Sequence, residues 1–460
     1  MPNFKKNLGL LGLVAISFAV MGPSMAVSLN PQAIAGQVGA SVPATFMLAV
    51  IPLSIITYSF VVLTKRRGSA GSLYGLVGAE IGPRTGIVAG LWLVLAYLTG
   101  ASLTAVSFGI FATTLVKATL WSAAPPWFPL LLALLILPIT SYLSTRTMST
   151  LGRLLLLLEG LTMVAILVVS GLTLNKLLNG GGPDGQTVDW SVLQLEGLSV
   201  GPIALALTFA LLSSAGFEGA AAAGEETGNP RQSIPRALIL TTAISCGFFI
   251  FVTLVAAWAF GTSKSEISTF TKSGSITADM ANMYVSSGVG DLITLGGAAS
   301  SFACMIGAQI AAGRILSKFG RDRVVSSRLG LLSREGTPVR ASYTAGISAL
   351  ILTAFAALAT NFNPSSAFDM VSDMAGLIFS AAYATASAAA VLVLWRDGKK
   401  ALAAIPLWGI AILAAVFVLQ VFPLPSGWEL IAPIFAISAL IIAAVFGRLV
   451  GNRAKESLAS

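Results

Sequence analysis

Two carboxylates stand inside long apolar runs of this sequence. Glu159 closes Leu154-Leu155-Leu156-Leu157-Leu158-Glu159, and Glu218 ends Ser213-Ser214-Ala215-Gly216-Phe217-Glu218. Ionisable groups at such places are costly to hold and mark ligand, ion or proton contacts. A carboxyl removed from water keeps its proton unless a cation or hydrogen-bond donors favour its charge. Glu159 and Glu218 are therefore the candidates for ion coupling. Two other segments can interrupt a helix. In Met21-Gly22-Pro23-Ser24, Gly22 tolerates unusual backbone angles. Pro23 cannot donate into a helix, disfavours helical geometry at the residue before it, and suits a first helical turn. One half-helix ends near Met21 and another starts at Pro23 or Ser24, with free N–H groups and about +0.5 of a charge that suit a carboxylate. In the second segment, Ser213, Ser214, Gly216 and Gly219 are weak helix formers, and the carbonyls near Leu212 and Ala215 suit a cation such as an ammonium group. The competing readings are a plain proline kink at the first segment and small-residue packing at the second; Glu218 speaks against the latter.

The elements that position these residues are membrane helices. The chain has 460 residues, 56% hydrophobic and only 10% charged, against about 25% charged in soluble domains. Twelve stretches are long and apolar enough to span a bilayer: near 8–30, 41–63, 86–116, 127–145, 152–178, 200–223, 236–260, 287–313, 341–360, 367–394, 402–422 and 428–450. The first follows Lys5 and Lys6 but lacks a cleavage box, so it reads as a retained span. The expected fold is all-α and integral to the membrane, one transmembrane domain over 1–460. Helices 1–5 (about 8–178) and 6–10 (about 200–394) form a 5+5 inverted repeat, followed by helices 11–12 (about 402–450). The support for the repeat is positional: the first helix of each half carries the break. Paired interruptions of this kind point to a binding site at mid-membrane, because unwound backbone survives in lipid only where protein, water or ligand satisfies it.

The charge of +9 follows topology. With both termini cytoplasmic, all of the 27 Lys and Arg except Lys117, Lys176, Lys264 and Lys272 fall on the cytoplasmic side, the positive-inside pattern. Attraction to anionic lipid, not to nucleic acid, accounts for the basic charge. Two longer loops, 179–199 and 261–286, lie on the other side. Cys246 and Cys304 both sit in apolar runs and there is no histidine, which argues against a disulfide framework, a metal site and a Ser-His hydrolase. No Gly-rich Lys-Ser/Thr nucleotide loop occurs. No cofactor and no catalytic residue is expected.

Gly216-Phe217-Glu218, Glu225-Glu226, Asn229-Pro230 and Ile234-Pro235-Arg236 together resemble the signature of the amino acid–polyamine–organocation (APC) family. Weaker matches are Ala70-Gly71-Ser72-Leu73-Tyr74 with Gly82-Pro83, Arg314 through Arg321-Asp322, and Gly336-Thr337-Pro338-Val339. The resemblance spans most of the chain and implies the LeuT fold, in which helices 1, 2, 6 and 7 form a mobile bundle and helices 3, 4, 8 and 9 a scaffold. It implies that Gly22, Pro23 and Ser24 hold a substrate carboxylate and that the carbonyls of Val20, Leu212 and Ala215, beside Ser213 and Gly216, hold its amine. Tyr97, Ala101 and Thr104 on helix 3, and Cys304, Met305 and Ala308 on helix 8, would line the pocket; ordinary helix packing is the competing reading for each. Pro23 falls where many relatives have a backbone N–H, and the Ser24 hydroxyl is the available replacement. Leu212 falls where an arginine-exchanging branch has an aromatic gate, so that branch's cationic specificity does not carry over. Some proton-coupled relatives have a lysine near the position of Glu159; a structural bond from Glu159 to a serine or backbone group on helix 1 or 8 is the competing reading. Asp369 and Asp373 read as vestibule charges. Tyr74 and Arg66-Arg67 are expected to order a cytoplasmic loop. An inner gate is expected from Arg231, Arg236, Glu225-Glu226 and Lys5 or Lys6.

The expected activity is secondary transport of small neutral L-amino acids across the cell membrane, coupled to H+ (Na+ is possible) or run as exchange, by a monomer or homodimer in the lipid bilayer. The alternative within the class is an amine without a carboxylate, such as a polyamine or ethanolamine, which Pro23 and the two intramembrane acids favour. The alternatives outside it are an ion channel and a membrane sensor.

Overall fold

The computed structural model describes residues 9–67, 72–146, 149–195, 197–222, 227–334, 336–422 and 424–459. They form seventeen α-helices: α1 Leu10–Met21, α2 Pro23–Val38, α3 Val42–Arg67, α4 Ser72–Glu80, α5 Pro83–Thr119, α6 Phe128–Leu143, α7 Ser149–Leu178, α8 Val200–Ser213, α9 Gly219–Ala222, α10 Pro230–Phe260, α11 Lys264–Thr271, α12 Ile276–Tyr284, α13 Ser287–Arg321, α14 Val339–Ala359, α15 Pro364–Arg396, α16 Lys400–Val421 and α17 Ile431–Ala459. Ten units are long and apolar enough to cross a membrane, with α1 and α2 counted as one, and α6 and α8 are shorter apolar helices. The protein is thus a multi-pass, all-α membrane protein of twelve transmembrane segments.

The first segment runs to Val38, eight residues past its expected end. The polar residues that signal an exit from the bilayer are inside protein instead. Asn30 and Gln32 are buried; Asn30 Nδ2 donates to Ser213 Oγ at 2.7 Å, and Gln32 Nε2 to the Ser28 carbonyl at 2.8 Å. α5 has 37 residues, a length of about 55 Å, so it must tilt or project past the hydrocarbon.

The helices pack in two groups. α5, α6, α13 and α14 lie on one another, and α1, α2, α3, α8, α9 and α10 form the second set. Close backbone approach holds the first group together: a Cβ at Gly109 of α5 would lie 1.9 Å from the Pro129 carbonyl oxygen of α6. α15 bridges the groups through α5, α3 and α8.

The face opposite the 179–199 and 261–286 loops is tied by charge. Glu80 is 4% exposed and meets Arg66 at 3.5 Å and Arg396 at 3.9 Å, while Arg66 also reaches Asp397 at 2.7 Å. Tyr74 donates to Asp322 Oδ2 at 2.8 Å, and Lys318 pairs with Oδ1 at 3.0 Å. Burial and the Asp322 carboxylate push the Tyr74 hydroxyl well above its ordinary value. Arg231 and Arg236 are exposed on α10. Lys5, Lys6, Glu225 and Glu226, the other members of the expected inner gate, lie outside the described residues.

Candidate functional site

Gly22 ends α1 with φ 61° and ψ 57°, a left-handed conformation, and its N–H donates to the Phe18 carbonyl. α2 then starts on Pro23. Glycine takes this conformation without the steric penalty that a Cβ brings. The new N-terminus is not left open. Pro23 has no N–H. The Ser24 N–H donates to Glu159 Oε1 at 2.9 Å, the Met25 N–H to Ser300 Oγ at 3.3 Å, and the Ala26 N–H to the Gly22 carbonyl at 2.9 Å. The Val20 carbonyl accepts the Cys304 thiol at 2.8 Å. Among the described residues the Met21 carbonyl receives no hydrogen bond.

The second interruption runs from Ser214 to Glu218, between α8 and α9. Gly216 has φ +102°, and a Cβ there would stand 3.0 Å from the Met21 nitrogen and the Val20 carbonyl carbon. The two breaks therefore touch backbone to backbone, which requires glycine on this side. Ser17 Oγ stitches them, donating to the Phe217 carbonyl at 2.7 Å and accepting the Ala220 N–H at 3.0 Å. Glu218 accepts from the Tyr97 hydroxyl at 2.8 Å, the Tyr383 hydroxyl at 2.8 Å and the Gly216 N–H at 3.1 Å. The Leu212 carbonyl accepts the Ala215 N–H at 3.0 Å. The Ala215 carbonyl, like that of Met21, receives no hydrogen bond among the described residues. Burying such a group unpaired costs about 1–3 kcal/mol, which a ligand donor recovers.

The predicted residues are spread over different surroundings. Val20, Gly22, Pro23, Ser24, Ser213, Ala215, Gly216, Tyr97, Cys304, Glu159 and Glu218 converge on the joint between the breaks through the bonds and contacts above. Leu212 lines a narrow cavity with Ser214, Phe217 and Tyr383. Ala101 and Ala308 are buried within α5 and α13. Thr104 gives its hydroxyl to the Gly100 and Ala101 carbonyls of its own helix, and Met305 Sδ accepts from Thr140 of α6 at 3.1 Å.

A cavity of about 730 Å³ opens between the tips of α5, α11 and α15 and the α16–α17 link, on the side of the 179–199 and 261–286 loops. Its walls carry Asp369, Asp373 and Glu429, with exposed Lys117 and Lys272 also on the lining, and it reaches Leu29 and Phe209. Leu29 adjoins Asn30 in sequence and Phe209 lies one turn from Ser213, while none of residues 20–24 or 213–218 is on the lining.

Sequence reasoning did not single out Tyr383, Ser300, Ser17 or Asn30. Tyr383 carries the clearest signal: it lies deep in an apolar span, and a buried hydroxyl in lipid needs an acceptor, which Glu218 supplies. Ser300 and Ser17 give no such signal, since serine in a membrane helix ordinarily bonds its own backbone.

The sequence profile of the amino acid permease family matches residues 8–447. Similar curated proteins are the low-affinity putrescine importer PlaP of Escherichia coli, 25% identical over 55% of this chain and 53% of its own length, and the branched-chain amino acid permease BcaP of Lactococcus lactis, 22% identical over 75% of each. A vacuolar cationic amino acid transporter of Arabidopsis thaliana is 23% identical over 69% of this chain and 50% of its own. The chain thus spans about half the length of the putrescine importer it matches. This chain belongs to the amino acid permease family, a family of permeases and not of enzymes.

Proposed function

Starting from that membership, we propose that the chain is a secondary transporter that carries a small amine-bearing molecule, an amino acid or an amine, across the cell membrane by alternating access. The observation that carries this reading is the joint itself. Two spans are interrupted at facing positions, and the Met21 and Ala215 carbonyls there have no hydrogen-bond partner among the described residues. Carbonyl oxygens without donors are a receptor for an ammonium group. A cavity of ligand size reaches Leu29 and Phe209, close in the chain to the Asn30–Ser213 bond between the two spans, and is the approach path in this reading. The 179–199 and 261–286 loops face outward and both termini face the cytoplasm, an orientation that the distribution of Lys and Arg supports.

In this reading α1, α2, α3, α8, α9 and α10 rock as one body against α5, α6, α13 and α14. Residues 8–178 and 200–394 are the two repeats of opposite orientation. Glu159 and Glu218 are the groups that couple substrate movement to H+, because they are the acids at the joint. The chain works as a monomer or homodimer. Counterflow in proteoliposomes tests the activity, with radiolabelled L-leucine and putrescine as probes of the two chemical classes. Saturable counterflow of at least one of them, lost in Gly216→Leu, is expected. Flux that is linear in concentration and indifferent to Gly216→Leu would point to a channel instead.

A further inference from the structure

Resting on that reading of the chain as a carrier of amine-bearing molecules, we propose that Glu159 is a built-in replacement for a ligand carboxylate, and that the transported molecule is an organic ammonium with no carboxylate of its own. The half-helix that begins at Pro23 is where an anionic ligand would dock, through its free N–H groups. Here the protein fills that place itself. Pro23 offers no donor, Ser24 gives its N–H to Glu159 Oε1 at 2.9 Å, Met25 gives its N–H to Ser300 Oγ at 3.3 Å, and Ala26 closes onto Gly22.

What remains unsatisfied at the joint is mostly acceptor; of these groups only the Ser24 hydroxyl can also donate. Glu159 Oε2, Ser24 Oγ and Asn30 Oδ1 are buried without a partner among the described residues, in side chains 4%, 0% and 2% exposed. The Met21 and Ala215 carbonyls are in the same condition. A carboxylate ligand brings more acceptors to a place that already has too many. An ammonium ligand brings up to three donors. Charge agrees with hydrogen bonding. α1, α2, α8 and residues 214–222 contain no Lys or Arg, so a ligand carboxylate would meet no counter-ion from them and would sit beside Glu159. The cavity on this side carries Asp369, Asp373 and Glu429 against Lys117 and Lys272 on its lining, a margin of one acid that leans toward cations. Selectivity comes from rejection as much as attraction: the like charge of Glu159, with the Ser24 hydroxyl as the single free donor, disfavours the zwitterion.

The test compares amino acids with the amines left when their carboxylate is removed: L-leucine with isopentylamine, and L-ornithine with putrescine. Binding to purified full-length protein is measured by competition and thermal shift at pH 5.5 and 7.5, and counterflow is measured separately. The amine of each pair should bind the wild-type protein at least about ten-fold more tightly than its amino acid at both pH values. Glu159→Ala, which frees the Ser24 N–H, should narrow that ratio by about ten-fold or more through tighter binding of the amino acid, with Glu159→Gln intermediate. An amino acid that binds the wild-type protein as tightly as its amine at either pH overturns the proposal, including the version in which protonation of Glu159 admits a carboxylate. So does a preference unchanged in both variants. If the amine preference stands but no counterflow is seen, the transporter reading fails and the assignment of Glu159 stands. If no probe binds, both fail.

Discussion

Glu218 holds the hydroxyls of Tyr97 and Tyr383 at 2.8 Å each, and through Tyr97 on α5 and Tyr383 on α15 it connects the second break to both neighbouring helices. Losing one partner of a buried carboxylate leaves an acceptor without its donor, at about 1–3 kcal/mol. Tyr383→Phe and Tyr97→Phe should each lower the melting temperature of the purified protein, and the double variant should lose less than the sum, because the two hydroxyls serve one group. Full additivity would mean that they do not share Glu218. Glu159 and Glu218 were legible in the sequence because a carboxylate in an apolar run is costly and visible. Their partners were less so. Ser300 contributes one hydroxyl to the Met25 N–H, and nothing in its neighbourhood distinguishes it from Ser301. The destination of the Ser24 N–H was present only as the competing reading, a bond from Glu159 to a serine or backbone group of helix 1 or 8. Sequence reading leaves it open between a ligand and Glu159, and the packing of α7 against α2 gives it to Glu159.

Each break depends on one glycine in a conformation that other residues resist. A Cβ at Gly22 would lie 3.2 Å from Cys304 Cβ, in a backbone with φ +61°. Gly22→Ala should therefore destabilise the protein by about 1–2 kcal/mol from the left-handed conformation alone and weaken ligand binding, measured by thermal shift with and without ligand. Unchanged stability would mean that the break tolerates a side chain and that its geometry is not specified by Gly22. Both breaks were readable from Gly-Pro and from Ser-Ser-Ala-Gly, but the length of α2 was not. Its polar residues bond to α8 and to the 261–286 segment, a tertiary effect that hydropathy does not see. On the side of the 179–199 and 261–286 loops, the Ser191 N–H and hydroxyl, with Thr262, hold Asp189 below the usual carboxylate range. A lowered value in the folded state means that the contribution is fully present above the unfolded value and is lost as pH falls through the lowered one. Docking of Trp190 on Trp258, whose rings lie 5.1 Å apart, should hold from neutral pH to about pH 4 and loosen below it. Quenching of the fluorescence difference between wild-type and Trp190→Phe protein follows this directly; loosening already at neutral pH would contradict it.

For the whole molecule, the question is what lets one group of helices move against the other. On the basic face, Glu80 ties Arg66 of α3 to Arg396 of α15 from a position 4% exposed. Glu80→Gln should loosen that face and favour the conformer open to it. A cysteine placed at Leu29, on the cavity lining, reports the shift in a Cys246→Ser background: impermeant maleimide should react with it more slowly after Glu80→Gln. Faster or unchanged labelling would show that the cluster does not latch the basic face. The division into two packed groups and the bridging place of α15 follow from contacts between distant segments, which composition and periodicity do not contain. The twelve segments and their membrane setting do follow from composition, because the bilayer requires about 20 apolar residues per crossing. The central claim is that the two breaks form one receptor for an ammonium group. The most direct measurement is a structure of the protein saturated with isopentylamine. The ammonium should lie within about 3 Å of the Met21 and Ala215 carbonyl oxygens, with Ser24 still bonded to Glu159. An amine bound elsewhere, or spans that run unbroken through Gly22 and Gly216, would contradict it.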